Sequence, residues 1–414
     1  MYAGKTELAL FDHAIPQVVV ENSTFEEIYP KDSISGYASN QIEFNIIGSD
    51  NDYLDLNDTL LIVKLRVVNS NGMDITEEKD IWPSNFLLHS LFKEVSLSLN
   101  NVKIEDTNDT YMQKAIIETV LNCGKDTKDT FLDSIGYSDD DEKRKKWIQK
   151  SSRLTLCGQL NLDFFDQPKY LLPGVSVNIR LTRNIGSVIF KYKQGSDTKA
   201  INPEVYIEEA KLQIRRVKVE QSVIAAHRLG LESQNAIYPI QRAKVVHFTI
   251  PKDSHGEYKD NLFSDERLPK FVLVAFQTSK QSSGDYSSFC SEFKHCNVKS
   301  LTLSRNVDYR EVYTTDFENK NYTMAYVQSV IRNLGLLNKD RNNGITMEDF
   351  KEKYPFFTFV LSPDFDIQQT QLPKSGNLKL DVRFDQPLPE SMTMFIYGLF
   401  DSEIQIAKHG MVIV

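Results

Sequence analysis

An internal repeat constrains this chain more than any other feature, because short strings recur in the same order about 200 residues apart. One unit carries a Ser-Leu alternation, a 14-residue amphipathic segment that ends in Gly, and a Leu-Pro pair, and the second unit carries counterparts of each. Collinear matches at nearly constant spacing indicate a tandem duplication, although each match alone is weak. The matched segments are residues 96–99 with 300–303, 111–124 with 322–335, 160–164 with 361–365, and 172–181 with 372–384.

The chain of 414 residues therefore predicts two similar units of about 200 residues each. Their apolar segments are short and alternate, as in Leu60–Val68 and Val175–Leu181, and turn signals such as Asn71-Gly72 separate them. For the first unit the pattern predicts eight strands, at 17–28, 41–47, 59–69, 94–104, 152–165, 175–183, 187–193 and 204–218.

Eight antiparallel strands with long connections favour a jelly roll over a meander of tight hairpins. The predicted fold class is therefore all-β, with two tandem eight-stranded antiparallel jelly-roll β-sandwiches. One helix is inserted in each, between the fourth and fifth predicted strands. We expect the first jelly roll at 15–220, a linker at 221–234 and the second jelly roll at 235–414.

Helical periodicity occurs at equivalent places in the two units. The first helix is predicted over Thr110–Cys123 and the second over Tyr322–Leu334, each followed by a glycine. A helix of this length is marginally stable alone, so each apolar stripe should dock on its own sandwich as a structural brace. A weaker helix is predicted over Glu220–Leu231. The predicted packed faces are Met112, Ile116 and Val120 in the first helix, and Met324, Val327 and Ile331 in the second.

Charge and cysteine content exclude several classes of protein. The net charge is −9, whereas a dedicated nucleic-acid binder normally carries a basic footprint. The four cysteines are sparse, which favours a reducing compartment. Residues 1–15 lack the apolar core of a signal peptide, and we expect no transmembrane segment, because no apolar stretch approaches 18 residues.

Candidate chemical sites are few, and a structural role is favoured for each of them. Cys290, His295 and Cys296 lie close in sequence, but a zinc site needs a fourth ligand. We therefore interpret these three as loop and strand-edge residues that bind no metal. His89 and His227 lie in apolar surroundings, where a lone histidine is usually packed and hydrogen-bonded. No catalytic motif accompanies them, and the sequence therefore predicts no catalytic, metal or cofactor-binding residues and no cofactor.

Carboxylates and charge runs receive similar interpretations. Asp163 and Asp364 occupy equivalent positions of the repeat and could form an acid–base pair, but aspartate also favours turns where strands end. The block Asp139–Lys146 is predicted to be a solvated loop, and Lys211–Lys218 a strand with cations on one solvated face. That strand could instead face nucleic acid or a neighbouring subunit.

Several strings of this sequence resemble one known protein family. They are similar to the double jelly-roll major capsid proteins of Polinton (Maverick) elements and the related adintoviruses, from about residue 7 to residue 410. Specificity comes from the order and number of these structural strings. The sequence departs from the family at Ser138–Lys146 and His409–Val414, both of which are regions where capsid proteins vary. The matching strings are Phe44, Tyr53–Leu56, Leu88–Phe92, Val95–Asn100, Tyr238–Arg242, Phe248–Pro251 and Asp381–Phe384.

The resemblance implies a homotrimer that serves as a pseudo-hexameric capsomer of an icosahedral double-stranded DNA virus or virus-like transposon. Its implied partners are neighbouring capsomers and a separate penton protein. The implied location is the virion, after assembly in the host cytoplasm or nucleus. An acidic chain fits a shell that encloses double-stranded DNA without strong specific binding.

Two alternatives stay open at this point. One is a secreted-type two-jelly-roll glycan hydrolase, which would need a cleft of carboxylates and normally a secretion signal. The other is a host-domesticated capsid-like protein that assembles without a genome. The sequence does not separate this second alternative from a viral protein.

Overall fold

Two β-sandwiches follow one another along the chain, and each is built from two antiparallel sheets with four main strands each. The strands of the first sandwich are β1 (Val20–Ile28), β2 (Gln41–Ile46), β3 (Asp52–Val68), β4 (Phe92–Leu99), β5 (Val102–Asp106), β6 (Leu154–Gly158), β7 (Val177–Arg183) and β8 (Glu204–Val219). The computed structural model describes residues 19–34, 40–193, 202–263, 267–305, 309–337, 339–340, 342–362, 370 and 374–414.

The second sandwich repeats the first, strand for strand. Its strands are β9 (Ala236–Ile250), β10 (Gly256–Asp260), β11 (Phe271–Thr278), β12 (Val298–Arg305), β13 (Tyr309–Thr314), β14 (Phe357–Val360), β15 (Leu378–Phe384) and β16 (Met392–Ile406).

Strand order defines the fold. In the first sandwich the sheets run β1-β8-β3-β6 and β2-β7-β4-β5, and in the second they run β9-β16-β11-β14 and β10-β15-β12-β13. Each strand of the second sandwich therefore holds the place of the strand eight numbers before it. This is the jelly-roll order, and it confirms the predicted fold class of two tandem eight-stranded antiparallel sandwiches.

Two of the predicted strands pair differently from the prediction, and two others have different bounds: β6 ends at Gly158 instead of residue 165, and β3 begins at Asp52 instead of residue 59. The single strand predicted over 94–104 is a hairpin, β4 and β5, because Asn100 and Asn101 both adopt positive φ, which lets the chain reverse. The strand predicted over 187–193 lies outside the sandwich sheets. Its part Phe190–Tyr192 pairs with Ile81–Pro83 in a separate two-stranded ribbon.

Helices occupy the connections between strands. They are α1 (Leu87–Ser90), α2 (Tyr111–Asn122), α3 (Lys125–Asp129), α4 (Asp141–Ile148), α5 (Gly186–Ile189), α6 (Gln221–Gly230), α7 (Ser279–Ser283), α8 (Thr323–Tyr326) and α9 (Met347–Glu352). A π-helix, Val327–Arg332, continues α8. Short 3₁₀ turns cover Asn108–Thr110, Phe131–Ile135, Gln149–Ser151 and Lys408–Gly410, and a final strand, Val412–Ile413, pairs with β16.

The two repeat helices lie at the same topological place, and the first lies between the segments predicted as the fourth and fifth strands, because the predicted fourth strand is the β4–β5 hairpin. Helix α2 follows β5 and precedes β6, and α8 follows β13 and precedes β14. Helix α6 lies between the sandwiches, inside the predicted linker, and the exact domain boundaries remain a prediction. Within the described residues, no helix combines the length and apolar character needed to cross a membrane.

Burial differs between corresponding sheets. Along β3 and β8, buried residues alternate with more exposed ones, as expected for a sheet with one face on a core. Along β11 and the first half of β16, nearly every residue is buried, so this part of the sheet is covered on both faces. The larger of two hydrophobic clusters runs through both sandwiches. The apolar contact between the sandwiches is therefore continuous with their cores.

The two predicted helix faces differ in how deeply they are buried. Met112, Ile116 and Val120 are buried, in line with the apolar stripe. The prediction that Met324 packs on its own sandwich is wrong, because 73% of Met324 is exposed. Val327 and Ile331 are half-buried. The π-helical segment adds a residue to the turn and shifts which side chains point inward, so Ser329 and Val330 are buried there instead.

This difference predicts that charge substitutions on the two repeat helices have unequal effects. Ile116→Asp should lower the free energy of unfolding by more than about 3 kcal/mol, because it leaves an unpaired carboxylate in the core. Ile331→Asp should cost much less, because water reaches that carboxylate, and the chain should stay folded. Urea unfolding followed by circular dichroism checks both variants. Equal destabilisation by the two would contradict the observed difference in packing.

Candidate functional site: a buried ionic cluster between the sandwiches

A buried lysine, Lys114 on α2, lies at the centre of an ionic cluster. Its side chain is 2% exposed, and its Nζ lies 2.8 Å from Asp163 Oδ1 and 3.2 Å from Glu105 Oε1. Glu118 Oε1 is 3.7 Å away. Lys114 Nζ also donates to the backbone oxygen of Asn161 at 2.8 Å. One cation thus faces three carboxyl groups, which come from β5, α2 and the connection after β6.

Burial changes the protonation of this cluster. Burial, reinforced by the Asp163 charge, raises the pKa of Glu105 to about 7. Burial raises the pKa of Glu118 to about 8, against the attraction of Lys114. Burial alone would lower the pKa of Lys114, but the surrounding carboxylates raise it well above its usual range. The lysine therefore stays charged, and protons held by Glu105 and Glu118 reduce the excess negative charge near neutral pH.

Three hydrogen bonds connect this region to the second sandwich. Tyr397 on β16 donates its hydroxyl proton to Glu118 Oε1 at 3.2 Å. The backbone N–H of Ala243, on β9, donates to Asp163 Oδ2 at 3.0 Å. Arg242 donates from Nη1 to the backbone oxygen of Ile104 on β5 at 2.8 Å. Asp163 and Glu118, which face Lys114, therefore also accept hydrogen bonds from the second sandwich.

Lys128 forms a second tether between the sandwiches. Its Nζ donates to the backbone oxygens of Val120 at 2.9 Å and of Asn343, in the second sandwich, at 2.6 Å. Burial lowers the pKa of Lys128 to about 8. The segments approach so closely that a Cβ atom on Gly344, whose φ is +70°, would lie 2.9 Å from the Lys125 Cβ. Glycine is therefore required there.

A third tether corrects the prediction for the block Asp139–Lys146. Most of its residues are exposed to solvent, as predicted, but the segment is not a loop. Most of it belongs to α4, whose first N–H groups are capped by the Asp140 carboxylate. Arg144 is buried, and it donates to the backbone oxygen of Pro83 at 3.2 Å. Its guanidinium also stacks on the ring of Phe289 in the second sandwich, and the Arg144 Cζ lies 5.2 Å from the ring centre.

The cysteine–histidine group does not converge on a common point. The buried Cys290 thiol donates to the backbone oxygen of Gln281 at 2.7 Å. The His295 ring stacks on Phe317 at 4.2 Å between ring centres, and its Nδ1 accepts from the backbone N–H of Asn297. Cys296 is partly buried. Among the residues that the structure describes, no group of three or more His, Cys, Asp or Glu side chains could hold a metal ion.

The two singled-out histidines have different surroundings. His89 is buried with its Nδ1 3.1 Å from the Tyr111 hydroxyl, and burial lowers its pKa to about 4. His227 is not packed as expected. It is exposed on α6, and its Nδ1 lies 2.6 Å from the Tyr53 hydroxyl, beside a cavity of about 610 Å³ between α6 and the sandwiches.

Asp163 belongs to the ionic cluster and is not a simple turn cap. Its repeat counterpart Asp364 lies outside the described residues, so the predicted equivalence of the two remains a prediction. The basic strand segment Lys211–Lys218 is paired with acids of neighbouring strands: Lys211 with Glu27, Arg215 with Asp55, Arg216 with Glu26, and Lys218 with Glu21. These pairs largely neutralise the strand, which disfavours a phosphate-binding surface.

Sequence reasoning missed Lys114, Glu105, Glu118 and Tyr397. Lys114 and Glu118 are four positions apart on a helix, a spacing that usually indicates a solvated ion pair. One signal was available in the sequence. The neighbours Ala115 and Ile117 are apolar, so the helix has no wholly polar face, which is typical of a helix covered on more than one side.

The fold and this inter-sandwich contact define a double jelly-roll protein, and comparisons with known proteins give the same class. No protein-family model matches the chain. An uncharacterized protein of Caenorhabditis elegans is 25% identical over 411 residues, which cover 93% of this chain and 95% of that protein.

Solved structures with this fold include viral capsid proteins. A chain of the Sputnik virophage superposes with a TM-score of 0.65 at 12% identity and covers 100% of this chain and 93% of its own. A chain of the PBCV-1 virus capsid superposes with a TM-score of 0.62 at 10% identity, and the match covers 97% of this chain and 98% of that chain. The mavirus major capsid protein superposes with a TM-score of 0.53 at 8% identity, and the match covers 99% of this chain and 92% of that protein. At these identities the likeness shows the fold, along nearly the whole chain.

The cluster predicts a large cost for removing its cation. Lys114→Met should lower the free energy of unfolding by about 3–5 kcal/mol, because the three carboxyl groups lose their shared partner. Lys103→Met, at an exposed lysine on β5, is the matched control and should change it by less than about 0.5 kcal/mol. Urea unfolding measures both. A Lys114→Met protein as stable as the control would show that the cluster contributes nothing.

The raised pKa values predict how stability depends on pH. Glu105 and Glu118 bind protons more tightly in the folded protein than in the unfolded chain. Their contribution is full below the ordinary glutamate pKa and is lost as pH rises through about 7 to 8. We therefore expect a melting temperature that falls between pH 6 and pH 9, by less in Glu118→Gln. The exposed Glu348→Gln control should behave like the native sequence, and identical pH profiles for all three proteins would refute the assignment.

Proposed function

We propose that this chain is a major capsid protein of the Polinton (Maverick) or adintovirus type. It forms homotrimers that act as pseudo-hexameric capsomers of an icosahedral shell around double-stranded DNA. The observation that carries the proposal is the pair of sandwiches with identical strand order, fixed side by side. Three such chains supply six similar sandwiches, which form a hexagonal tile from a threefold assembly.

The likeness to viral capsid proteins supports this proposal. It extends over nearly the whole of this chain and of the Sputnik, PBCV-1 and mavirus chains. Neighbouring capsomers and a separate penton protein are the proposed partners. The proposed location is the virion, with assembly in the host cytoplasm or nucleus. The net charge of −9 and the paired cations on β8 favour enclosure of DNA without strong specific binding.

The buried cluster also bears on the alternatives. A glycan hydrolase needs carboxylates that face a substrate cleft. Here Glu105, Glu118 and Asp163 surround Lys114 and are covered by the second sandwich, so they serve structure. We therefore propose a structural protein without enzymatic activity. A host-domesticated capsid-like protein that assembles without a genome would share this architecture, and nuclease-protected DNA in purified particles would separate the two.

Assembly is the direct test of the proposal. Purified protein should form trimers in solution, with an interface beyond about 2,000 Å² as in obligate contacts. Light scattering measures the trimer, and negative-stain electron microscopy should show pseudo-hexagonal particles or closed shells. A chain that stays monomeric over the whole accessible concentration range, with no particles, would contradict the proposal.

A further inference from the structure

The cavity of about 610 Å³ beside α6, called here the α6 cavity, lies at the junction of the two sandwiches. Its walls come from three parts of the chain. The first sandwich contributes Tyr170 and Val219, the second contributes Tyr238, and α6 contributes Val223. Small-molecule sites in proteins are usually concave, mostly apolar and about 300–1,000 Å³ in volume. The α6 cavity therefore has the size of a ligand site.

The apolar walls of the α6 cavity are separate from the main core. Tyr53, Val219 and Ile224 belong to the smaller hydrophobic cluster, and the half-buried Val223 packs against it. Side chains that line a cavity lack packing partners on that side and so lose dispersion contacts. A ligand with an apolar body would restore these contacts and remove the apolar surface from water.

The α6 cavity has a fixed floor and a lightly held roof. At the floor, the Tyr238 hydroxyl of the second sandwich donates to the backbone oxygen of Tyr170 in the first at 3.2 Å. Within α6, all of which the structure describes, Ile224 is the only buried residue. The side chain of His227 links the helix to the Tyr53 hydroxyl, 2.6 Å from its Nδ1. The cavity is thus preformed on one side, and α6 can adjust on the other.

Charge at the α6 cavity selects the class of ligand. Lys169 and His227 line it, and among the residues that the structure describes no aspartate or glutamate does. Lys169 is exposed, and its Nζ donates to the backbone oxygen of Ile237 at 2.6 Å. An ammonium group has three donors, so this hydrogen bond leaves Lys169 able to bind an anion as well. In a chain with a net charge of −9, an anion here meets nitrogen donors and no facing carboxylate.

We propose that the α6 cavity binds a small amphipathic anion, a free monocarboxylate with an apolar tail. The tail lies against Tyr170, Val219 and Val223, and the carboxylate accepts a hydrogen bond from Lys169. Because the walls belong to both sandwiches and to α6, the bound molecule stabilises the folded chain by mass action. Binding does not require capsid assembly, since every lining residue belongs to one chain.

Octanoate is the probe for this site, and octan-1-ol is its uncharged counterpart with the same tail. Isothermal titration calorimetry on the full chain should show one octanoate bound per chain, and the melting temperature should rise with octanoate concentration. Lys169→Met should weaken octanoate binding at least about tenfold and leave octan-1-ol binding unchanged, because only the charged partner is lost. Lys103→Met, at an exposed lysine that does not line the cavity, is the control and should bind both probes like the native chain.

Two adjacent alanines on α6 test the location of the site. Ala225 and Ala226 are both exposed, and of the two Ala226 alone lines the α6 cavity. Ala226→Trp should fill the cavity and abolish binding of both probes, whereas Ala225→Trp should bind like the native chain. Circular dichroism melting should show both variants folded.

Three results would overturn the proposal. They are a native chain that binds no octanoate, an Ala226→Trp protein that binds it as tightly as Ala225→Trp does, and a Lys169→Met protein with unchanged affinity for octanoate. None of these results bears on trimer formation, so a failure of this site would leave the capsid proposal standing. A native protein that binds octanoate but never trimerises would refute the capsid proposal and support the site.

Discussion

The relation between the two sandwiches depends on one buried ammonium group, that of Lys114. Three carboxyl groups from three segments of the first sandwich surround it, and two of them accept hydrogen bonds from β9 and β16 of the second. Removing Lys114 would leave the carboxyl groups buried without a cation, which is costly in an interior. The cluster therefore favours one relative placement of the sandwiches, and apolar burial alone, which is non-directional, would define that placement less sharply.

A fixed placement matters for the proposed role. A tile built from three chains covers a surface only if the two sandwiches of each chain are held at a constant angle. The tethers at Lys128 and Arg144 add to the central cluster at separate points of the contact. Contacts at several points resist rotation as well as separation. The double jelly roll thus behaves as one structural unit, although each sandwich has its own complete strand order.

Duplication explains both the likeness and the difference of the two units. Both retain the jelly-roll order and a helix at the same topological place. Within one chain, however, only one of the two helices has a neighbouring sandwich to cover it. The burial along β11 and β16, compared with the alternation along β3 and β8, follows from the same inequality. Because a tandem repeat of two units has one contact between its units, equivalent elements of the two sandwiches have different neighbours.

The sequence by itself determined the duplication, the all-β class, the two-sandwich architecture and the position of both repeat helices, because these depend on local periodicity and turn residues. Only the tertiary structure decided that Lys114 and Arg144 are buried and that Met324 is exposed. The reason is physical: whether a charge on a helix meets water or another carboxylate depends on which distant segment packs against it. A lysine and a glutamate four residues apart have the same pattern in a solvated pair and in a buried cluster, and the second sandwich makes the difference.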